Sequence, residues 1–395
     1  MNKRILWIIN GGEVYGERRA IVSLMSGVRA AGWEAEAVSL LEGGCTEELR
    51  AAGLPVSCMG LGDSPGMHLA RSRVGRGWQL LRLLGHQGTI RRAVAKEIAR
   101  RQPMAVHVLD KNILPGVARA ARELVVPCFW EMTAVVGSGY AWDLNRRLHG
   151  RLIRRGRLHT LANSRYTAES LGEVGRPVQV MYLGVDEERF DPARVVAVDR
   201  GSMGIPADAP VFVIVARVDP TKGQGMFLEA LQRAGRGDEH LMLVGAETGS
   251  LEVDRLAARA LALGMGHRVH CVPRTGEPER YLAMADVAVN ARIDAEPFGL
   301  SVVEAMMMGK PVLVHALGGP AETVEDRISG WHIAAATLAD FAEGIQRALA
   351  DHEKWACMGA AARQRALKQF SLAAQAKWYL DYVQQTCGVS ECGDG

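Results

Sequence analysis

Aromatic side chains are scarce, at 6% of the 395 residues, and too thinly interleaved with the basic stretches to favour a nucleic-acid surface. Long apolar runs are missing too: nothing approaches the ~20 apolar residues of a membrane-spanning helix. Met1–Asn10 is too short for a secretory leader and has no cleavage site, so it reads as a first strand. The seven cysteines (45, 58, 128, 271, 357, 387 and 392) are odd in number and lack metal-ligand spacing. Cys128 and Cys271 lie in apolar runs and are expected as buried thiols. These absences lead to the expectation of a cytoplasmic protein in a reducing compartment, with no structural metal.

What is present is an alternation of short apolar runs with amphipathic stretches, repeated twice. Lys3–Asn10 has the continuous apolar centre of a buried parallel strand. A glycine-broken loop follows, Gly11-Gly12-Glu-Val-Tyr-Gly16, then an amphipathic stretch to Ala31 and a second strand at Glu34–Leu40. This order opens a doubly wound sheet, which binds ligands at its carboxyl edge. The glycines do not match a dinucleotide fingerprint, so NAD is not expected. Ala105–Asp110, Val125–Trp130, Leu161–Arg165 and Val178–Leu183 continue the series, with His107 read as a packed strand residue. A second series starts at Val211–Val215. The polar, proline-containing stretch Asp186–Pro210 reads as the link between a first domain, 1–185, and a second, 195–370. A last helix within 371–386 is expected to pack back on the first domain, and Val389–Gly395 to be disordered.

The net charge of +3 hides an asymmetry. Residues 1–200 hold 29 Lys and Arg against 20 Asp and Glu, whereas the remainder is net acidic. Arg71–Arg101 carries nine basic residues and one acid, with Trp78 and four leucines among them, and Arg146–Arg157 adds six arginines. Such segments can lie on an anionic membrane face or hold anionic substrates, with a solvated helix face as the plain alternative.

The most informative stretch is Ala291–Gly319, ARIDAEPFGLSVVEAMMMGKPVLVHALGG. Glu296 and Glu304 have seven residues between them, beginning Pro297-Phe298-Gly299-Leu300-Ser301. A loop entering a helix and then a strand is expected. The helix N-terminus, with its unpaired amides, suits a diphosphate, and the two carboxylates suit sugar hydroxyls. Ser301-Val-Val-Glu304 also has the spacing of a capping box, in which Glu304 would serve only its own helix.

The motifs ARVDPTKGQ, LMLVGAE, AEPFGLSVVEAMMMGKPVLV and GGPAE occur in this order from Val211 to Glu322. GERRAIVSLMSGVRAAGWEAEAVSL, ANSRYTAESL and YLGVDEERFDP precede them. Together they resemble the family-4 retaining glycosyltransferases of the GT-B fold, in which two Rossmann-like doubly wound α/β domains face each other across a cleft. The resemblance implies a nucleotide-diphosphate sugar as donor and a saccharide or lipid-linked acceptor, as in envelope polysaccharide or glycolipid assembly. Carried over residue by residue, it implies that Arg217 and Lys222 grip the diphosphate and that Glu296 contacts the transferred sugar. Glu304 would take both ribose hydroxyls, and Phe298, Gly299, Leu300 and Ser301 would surround sugar and phosphate with backbone. Arg274 would lie on a base-contacting loop, and Gly12 or Gly16 would admit the phosphates to the first domain. No Asp-x-Asp motif is present, so no cofactor is expected, the two cations serving where a metal otherwise would.

The chain departs from the family in three places. Pro127-Cys-Phe-Trp-Glu131-Met-Thr133 places Thr133 where a histidine is usual, making Thr133 and Glu131 the acceptor-side candidates. Leu183-Gly-Val-Asp186 replaces the usual Asn-Gly-Val-Asp, and Asn290-Ala-Arg292 the usual Pro-Ser. Other readings are a glycosyltransferase acting on a soluble small molecule, a GT-B binding protein that has lost catalysis, and a nucleotide-sugar epimerase. For the first reading the expected location is cytoplasmic, with peripheral contact to the inner membrane face through the basic segments.

Overall fold

The computed structural model describes residues 2–13, 15–61, 73–136, 144–155 and 158–388. The chain begins β1 (Arg4–Ile9), α1 (Tyr15–Ala30), β2 (Glu34–Ser39), α2 (Gly44–Ala51), β3 (Val56–Cys58) and α3 (Arg73–Arg101). It continues β4 (Ala105–Val108), α4 (Leu114–Glu123), β5 (Cys128–Met132), α5 (Leu144–Arg155), β6 (Leu158–Ala162), α6 (Arg165–Glu169) and β7 (Val178–Val180). The second series is β8 (Val211–Val215), α7 (Gln224–Ala234), β9 (His240–Val244), α8 (Leu251–Ala262), β10 (Val269–Val272) and α9 (Pro278–Met284). Then come β11 (Val287–Asn290), α10 (Leu300–Met307), β12 (Val312–His315), α11 (Pro320–Thr323) and β13 (Gly330–Ile333). The helices α12 (Leu338–Ala350), α13 (Trp355–Phe370) and α14 (Leu372–Thr386) close the chain.

Two compact units result: Met1–Gly184 with Leu372–Gly395, and Val185–Ser371. Unit 1 has a seven-stranded sheet ordered β3-β2-β1-β4-β5-β6-β7, and unit 2 a six-stranded sheet ordered β10-β9-β8-β11-β12-β13. Every strand pair is parallel. Both are α/β, doubly wound and Rossmann-like, with order reversing between β1 and β4 in one and between β8 and β11 in the other. Helices on both faces explain why the central strands are apolar throughout: VFVIV of β8 and HLMLV of β9 are almost wholly buried.

α14 belongs to unit 1 and packs on α1, where Gly27 lets the helices close: a Cβ there would lie 2.9 Å from the Ala376 methyl. Its Tyr379 enters the unit 1 interior. Residues 186–210, expected as a linker, are instead anchored on unit 2. Arg200 donates to Met284 O at 2.7 Å and pairs with Asp286 at 2.8 Å, and Arg363 pairs with Asp191 at 2.8 Å. The stretch is polar because its arginines tie it down. Cys128 is buried as expected, but Cys271 is exposed, because β10 is an edge strand. The side chains of Trp78 and the leucines around it, and residues 389–395, lie outside the described residues.

Candidate functional site

The switch point of unit 2 lies between the carboxyl ends of β8 and β11, and the two loops leaving it are bound to each other. The β8 loop turns through Pro220–Lys222, a 3-10 turn capped by the Asp219 carboxylate, which accepts from Thr221 N at 2.9 Å. Those Thr221 hydrogen bonds, with a smaller contribution from Arg217 and Lys222, hold the Asp219 carboxyl below its usual range. Gly223 then takes φ +70°, and a Cβ there would fall 1.9 Å from Ala291 O of the β11 loop. Only glycine permits that approach. Ile293 N donates to Thr221 O at 2.9 Å, completing the join.

Lys222 and Glu296 meet across this join, Nζ to Oε2 at 3.1 Å, with side chains 24% and 16% exposed. The same Oε2 accepts from Arg292 Nη1 at 2.9 Å. Arg292 also grips Asp294 with two bonds, Nε to Oδ1 at 2.5 Å and Nη2 to Oδ2 at 3.1 Å. That contact, helped by Glu296, pushes the Arg292 pKa up, and the same Arg292 contact holds the Asp294 carboxyl down. Arg217 stands exposed on the β8 loop, and among the described residues its guanidinium has no hydrogen-bond or ion-pair partner. Its carbonyl is fixed by Gln224 Nε2 at 2.7 Å.

The loop Glu296–Gly299 is laid on the Gly318-Gly319 turn. Gly319 N donates to Glu296 O at 2.8 Å, and a Cβ at Gly318 or Gly319 would strike Glu296 O or Phe298 Cα within 2.4 Å. This explains the glycine pair physically. Phe298 points inward, edge-on to Phe370 with centroids 6.1 Å apart, so only its backbone is left for a ligand. Gly299, at φ 91°, is the N-cap of α10, and no side chain caps the helix. Ser301 is therefore the second helical residue, which excludes the capping box. The amides of Leu300 and Ser301 find no acceptor among the described residues. Glu296 passes beside this terminus, its Cγ 3.5 Å from where a Gly299 Cβ would sit. Glu304 lies on the buried face of α10 at 1% exposure, so a ligand reaches it only if its present neighbours make way. Arg274 is exposed on the loop after β10, two strands out from the switch point.

In unit 1 the two acceptor-side candidates part. Glu131 is not in the loop after β5. It lies within β5 at 0% exposure, its Oε2 2.9 Å from His107 Nε2, while His107 Nδ1 is 2.9 Å from Tyr379 OH. The strand runs on through Glu131 because a histidine and a tyrosine wait for it in the interior; its Oε1 has no hydrogen-bond partner. Thr133 is half-buried just past the strand, its carbonyl accepting from Asn163 Nδ2 at 3.0 Å.

Neither Gly12 nor Gly16 is forced by its surroundings, since a Cβ at either meets nothing within 4 Å. The demanding position is Gly11, at φ +101°, where a Cβ would fall 2.2 Å from Leu41 O. The amides of this loop are occupied from within: the buried Glu13 carboxylate accepts from Asn10 N at 2.5 Å and Gly11 N at 2.8 Å. Burial pushes the Glu13 and Asp110 carboxyls up. Both stand at the unit 1 switch point and were not singled out from the sequence. Arg292 was likewise missed, although its place between strand and Glu296 could have flagged it.

Residues 196–365 match the family of glycosyl transferases group 1. The chain is 34% identical over 219 residues to a D-inositol 3-phosphate glycosyltransferase of Geodermatophilus obscurus, covering 53% of this chain and 47% of that protein. It is 33% identical over 222 residues to a GDP-mannose-dependent alpha-(1-6)-phosphatidylinositol monomannoside mannosyltransferase of Mycolicibacterium smegmatis, covering 52% and 56%. The matched region thus spans about half the length of these curated relatives. Among solved structures, Anabaena HepE in complex with UDP and glucose superposes with a TM-score of 0.74 at 20% identity, over 96% of this chain and 99% of that one.

Proposed function

We propose that this chain, whose residues 196–365 match the glycosyl transferases group 1 family and whose fold is that of the GT-B glycosyltransferases, transfers a sugar from a nucleotide-diphosphate sugar. The acceptor in this reading is a saccharide or lipid-linked glycan of the cell envelope, and configuration is retained. The observation that carries the reading is the meeting of Lys222, Glu296 and the uncapped α10 terminus at the switch point of unit 2. The activities of the two relatives support the class of reaction, and the phosphatidylinositol monomannoside named for the second supports a lipid-linked acceptor.

The chemistry follows from charge. Breaking the sugar–phosphate bond puts negative charge on the leaving diphosphate and positive charge on the anomeric carbon. Lys222, Arg217 and the Leu300 and Ser301 amides would stabilise the first without reorganising. Glu296 would hold the sugar, and Glu304 the ribose, a carboxylate having two oxygens for two hydroxyls. The leaving phosphate oxygen would take the acceptor's proton on the same face, which retains configuration without a dedicated base. Arg217 and Lys222 would supply the positive charge for which a metal would otherwise be needed.

α5 supports a peripheral membrane contact, since it exposes Arg147, Leu148, Arg151 and Arg154. Among the described residues no helix is long and apolar enough to cross a membrane.

A thermal-shift screen against UDP-, GDP- and ADP-sugars identifies the donor, because a tight ligand raises apparent stability by mass action. Diphosphate release is then followed with a glycan and lipid acceptor pool, with and without EDTA, and the product's anomeric configuration read by NMR. An α-linked product formed equally in EDTA is expected from an α-linked donor. No release with any donor and acceptor sinks the proposal, an inverted product removes retention, and loss of activity in EDTA removes metal independence. Flotation with anionic liposomes separates a membrane acceptor from a soluble one.

A further inference from the structure

Arg292 stands where neither the strand nor the helix needs an arginine. β11 ends at Asn290, α10 begins at Leu300, and the guanidinium reaches forward to the one carboxylate that Lys222 also holds. It is well fixed for that task. His315 Nδ1 donates to Arg292 O at 2.8 Å, Arg292 N donates to Asn290 Oδ1 at 3.3 Å, and Asp294 clamps the guanidinium from the far side. Within this cluster of four, Lys222 and Arg292 balance Asp294 and Glu296.

This inference rests on the donor-site reading above. A diphosphate brings at least two negative charges to the α10 terminus, and Lys222 is the cation that must turn to it. Turning means leaving Glu296. A carboxylate that is only 16% exposed and has lost its sole cation is strongly disfavoured, because water cannot fully replace the partner. Here it is not left alone, since Arg292 already shares the same oxygen. We propose that Arg292 is a positioning residue that retains Glu296, ionised and in place, while Lys222 exchanges that carboxylate for the donor's diphosphate. In this arrangement Arg292 sets donor affinity without touching a phosphate.

Without Arg292, Lys222 becomes the only cation on Glu296, and the diphosphate has to compete with that carboxylate for it. Arg292→Ala should therefore weaken nucleoside diphosphate binding by about tenfold, the size of one partly buried charge contact. Arg292→Lys keeps the charge but loses the fork that spans Asp294 and Glu296, so its loss should be smaller and of the same sign. The distinguishing variant is Arg292→Ala with Glu296→Gln. Neutralising Glu296 releases Lys222, so binding should return to within about threefold of Glu296→Gln alone.

The experiment titrates UDP, GDP and ADP calorimetrically into the full chain and then into each variant, using the diphosphate that the unsubstituted protein binds best. Loss in Arg292→Ala with recovery in the double variant supports the proposal. Unchanged affinity in Arg292→Ala overturns it, as does loss without recovery, which would mean that Arg292 contacts the phosphates itself. If Arg292→Ala does not fold, Arg292→Lys alone and with Glu296→Gln carries the same comparison. Failure of the unsubstituted protein to bind any of the three would overturn the donor-site reading first and this proposal with it, before any substitution is read.

Discussion

Replacing Lys222 with alanine separates the ligand-binding part of this site from its structural part. In the folded protein Lys222 makes one ion pair, to Glu296 at 3.1 Å, and Glu296 keeps Arg292 at 2.9 Å when Lys222 is gone. With Glu296 still held by Arg292, losing this partly buried pair should cost about 1 kcal/mol. For a unit of this size that is a fall of about 2–4 °C in Tm. The ligand side is larger. A lysine ammonium on a diphosphate makes charge-assisted hydrogen bonds worth about 1.5–3 kcal/mol, or roughly 10- to 150-fold in affinity. Lys222→Ala should thus keep its fold and lose donor binding by one to two orders of magnitude, about. Thermal unfolding without ligand gives the first quantity. Calorimetric titration with the preferred nucleoside diphosphate gives the second, and initial rates over a range of donor concentration add kcat/KM. A folded Lys222→Ala protein that binds the diphosphate within about twofold of the original would refute the reasoning, since that is far below one charge-assisted bond. The site would then have to be sought elsewhere.

Glu304→Gln should lower affinity for the preferred nucleoside diphosphate by about tenfold, and the loss should vanish with the 2′,3′-dideoxy analogue; an equal loss with both would remove Glu304 from the ribose. Gly223→Ala should cost at least about 2 kcal/mol in urea unfolding, because a left-handed alanine is strained and its methyl would strike Ala291 O; an unchanged midpoint would show that the loop join is dispensable. The His240 pKa is pushed down from 6.5 to about 4, by burial first and then by His270 and Arg268. The folded state therefore favours neutral His240, so its contribution to stability is complete above about pH 6.5 and is lost as pH falls towards 4. His240→Gln should flatten the slope of urea-unfolding stability across that window, and an unaltered slope would assign the acid sensitivity to other groups.

Much of unit 2 could be read from the chain because its strands announce themselves. VFVIV and VLV are continuous apolar runs rich in valine and bounded by loop residues, and burial on both sheet faces requires such runs. The loop–helix–strand order around Glu296 and Glu304 was equally plain. Two of the edge strands were not. β3 is three half-buried residues and β13 four at the sheet edge, too brief for a period to show. Polar contacts between distant residues were not legible either. Glu131 is wholly interior, its partner His107 lying 24 residues away and the partner of His107, Tyr379, a further 272 residues along, beyond any local pattern. Asp186–Pro210 is polar and anchored for the same kind of reason, with Arg200 finding Asp286 only once the strands are assembled. At the site itself, Arg292 was visible as a departure from a family pattern, but its hold on Glu296 emerges only when the β11 loop is folded back on Lys222.

The placement of α14 has a consequence for how the chain is built. Val185 pairs with Ser371 within unit 2, and Val185 N donates to Phe370 O at 2.8 Å, so that unit starts and finishes at the same spot. Within unit 1, Gly184 N donates to Gln375 Oε1 at 2.9 Å, beside the start of α14. The second unit is therefore an insertion whose two ends are already neighbours. During synthesis the first unit must wait, with Tyr379 missing from its interior, until α14 has left the ribosome. For the same reason a short splice from residue 184 to residue 372 would join ends that lie side by side, whereas a cut after 184 would strip unit 1 of a helix it needs.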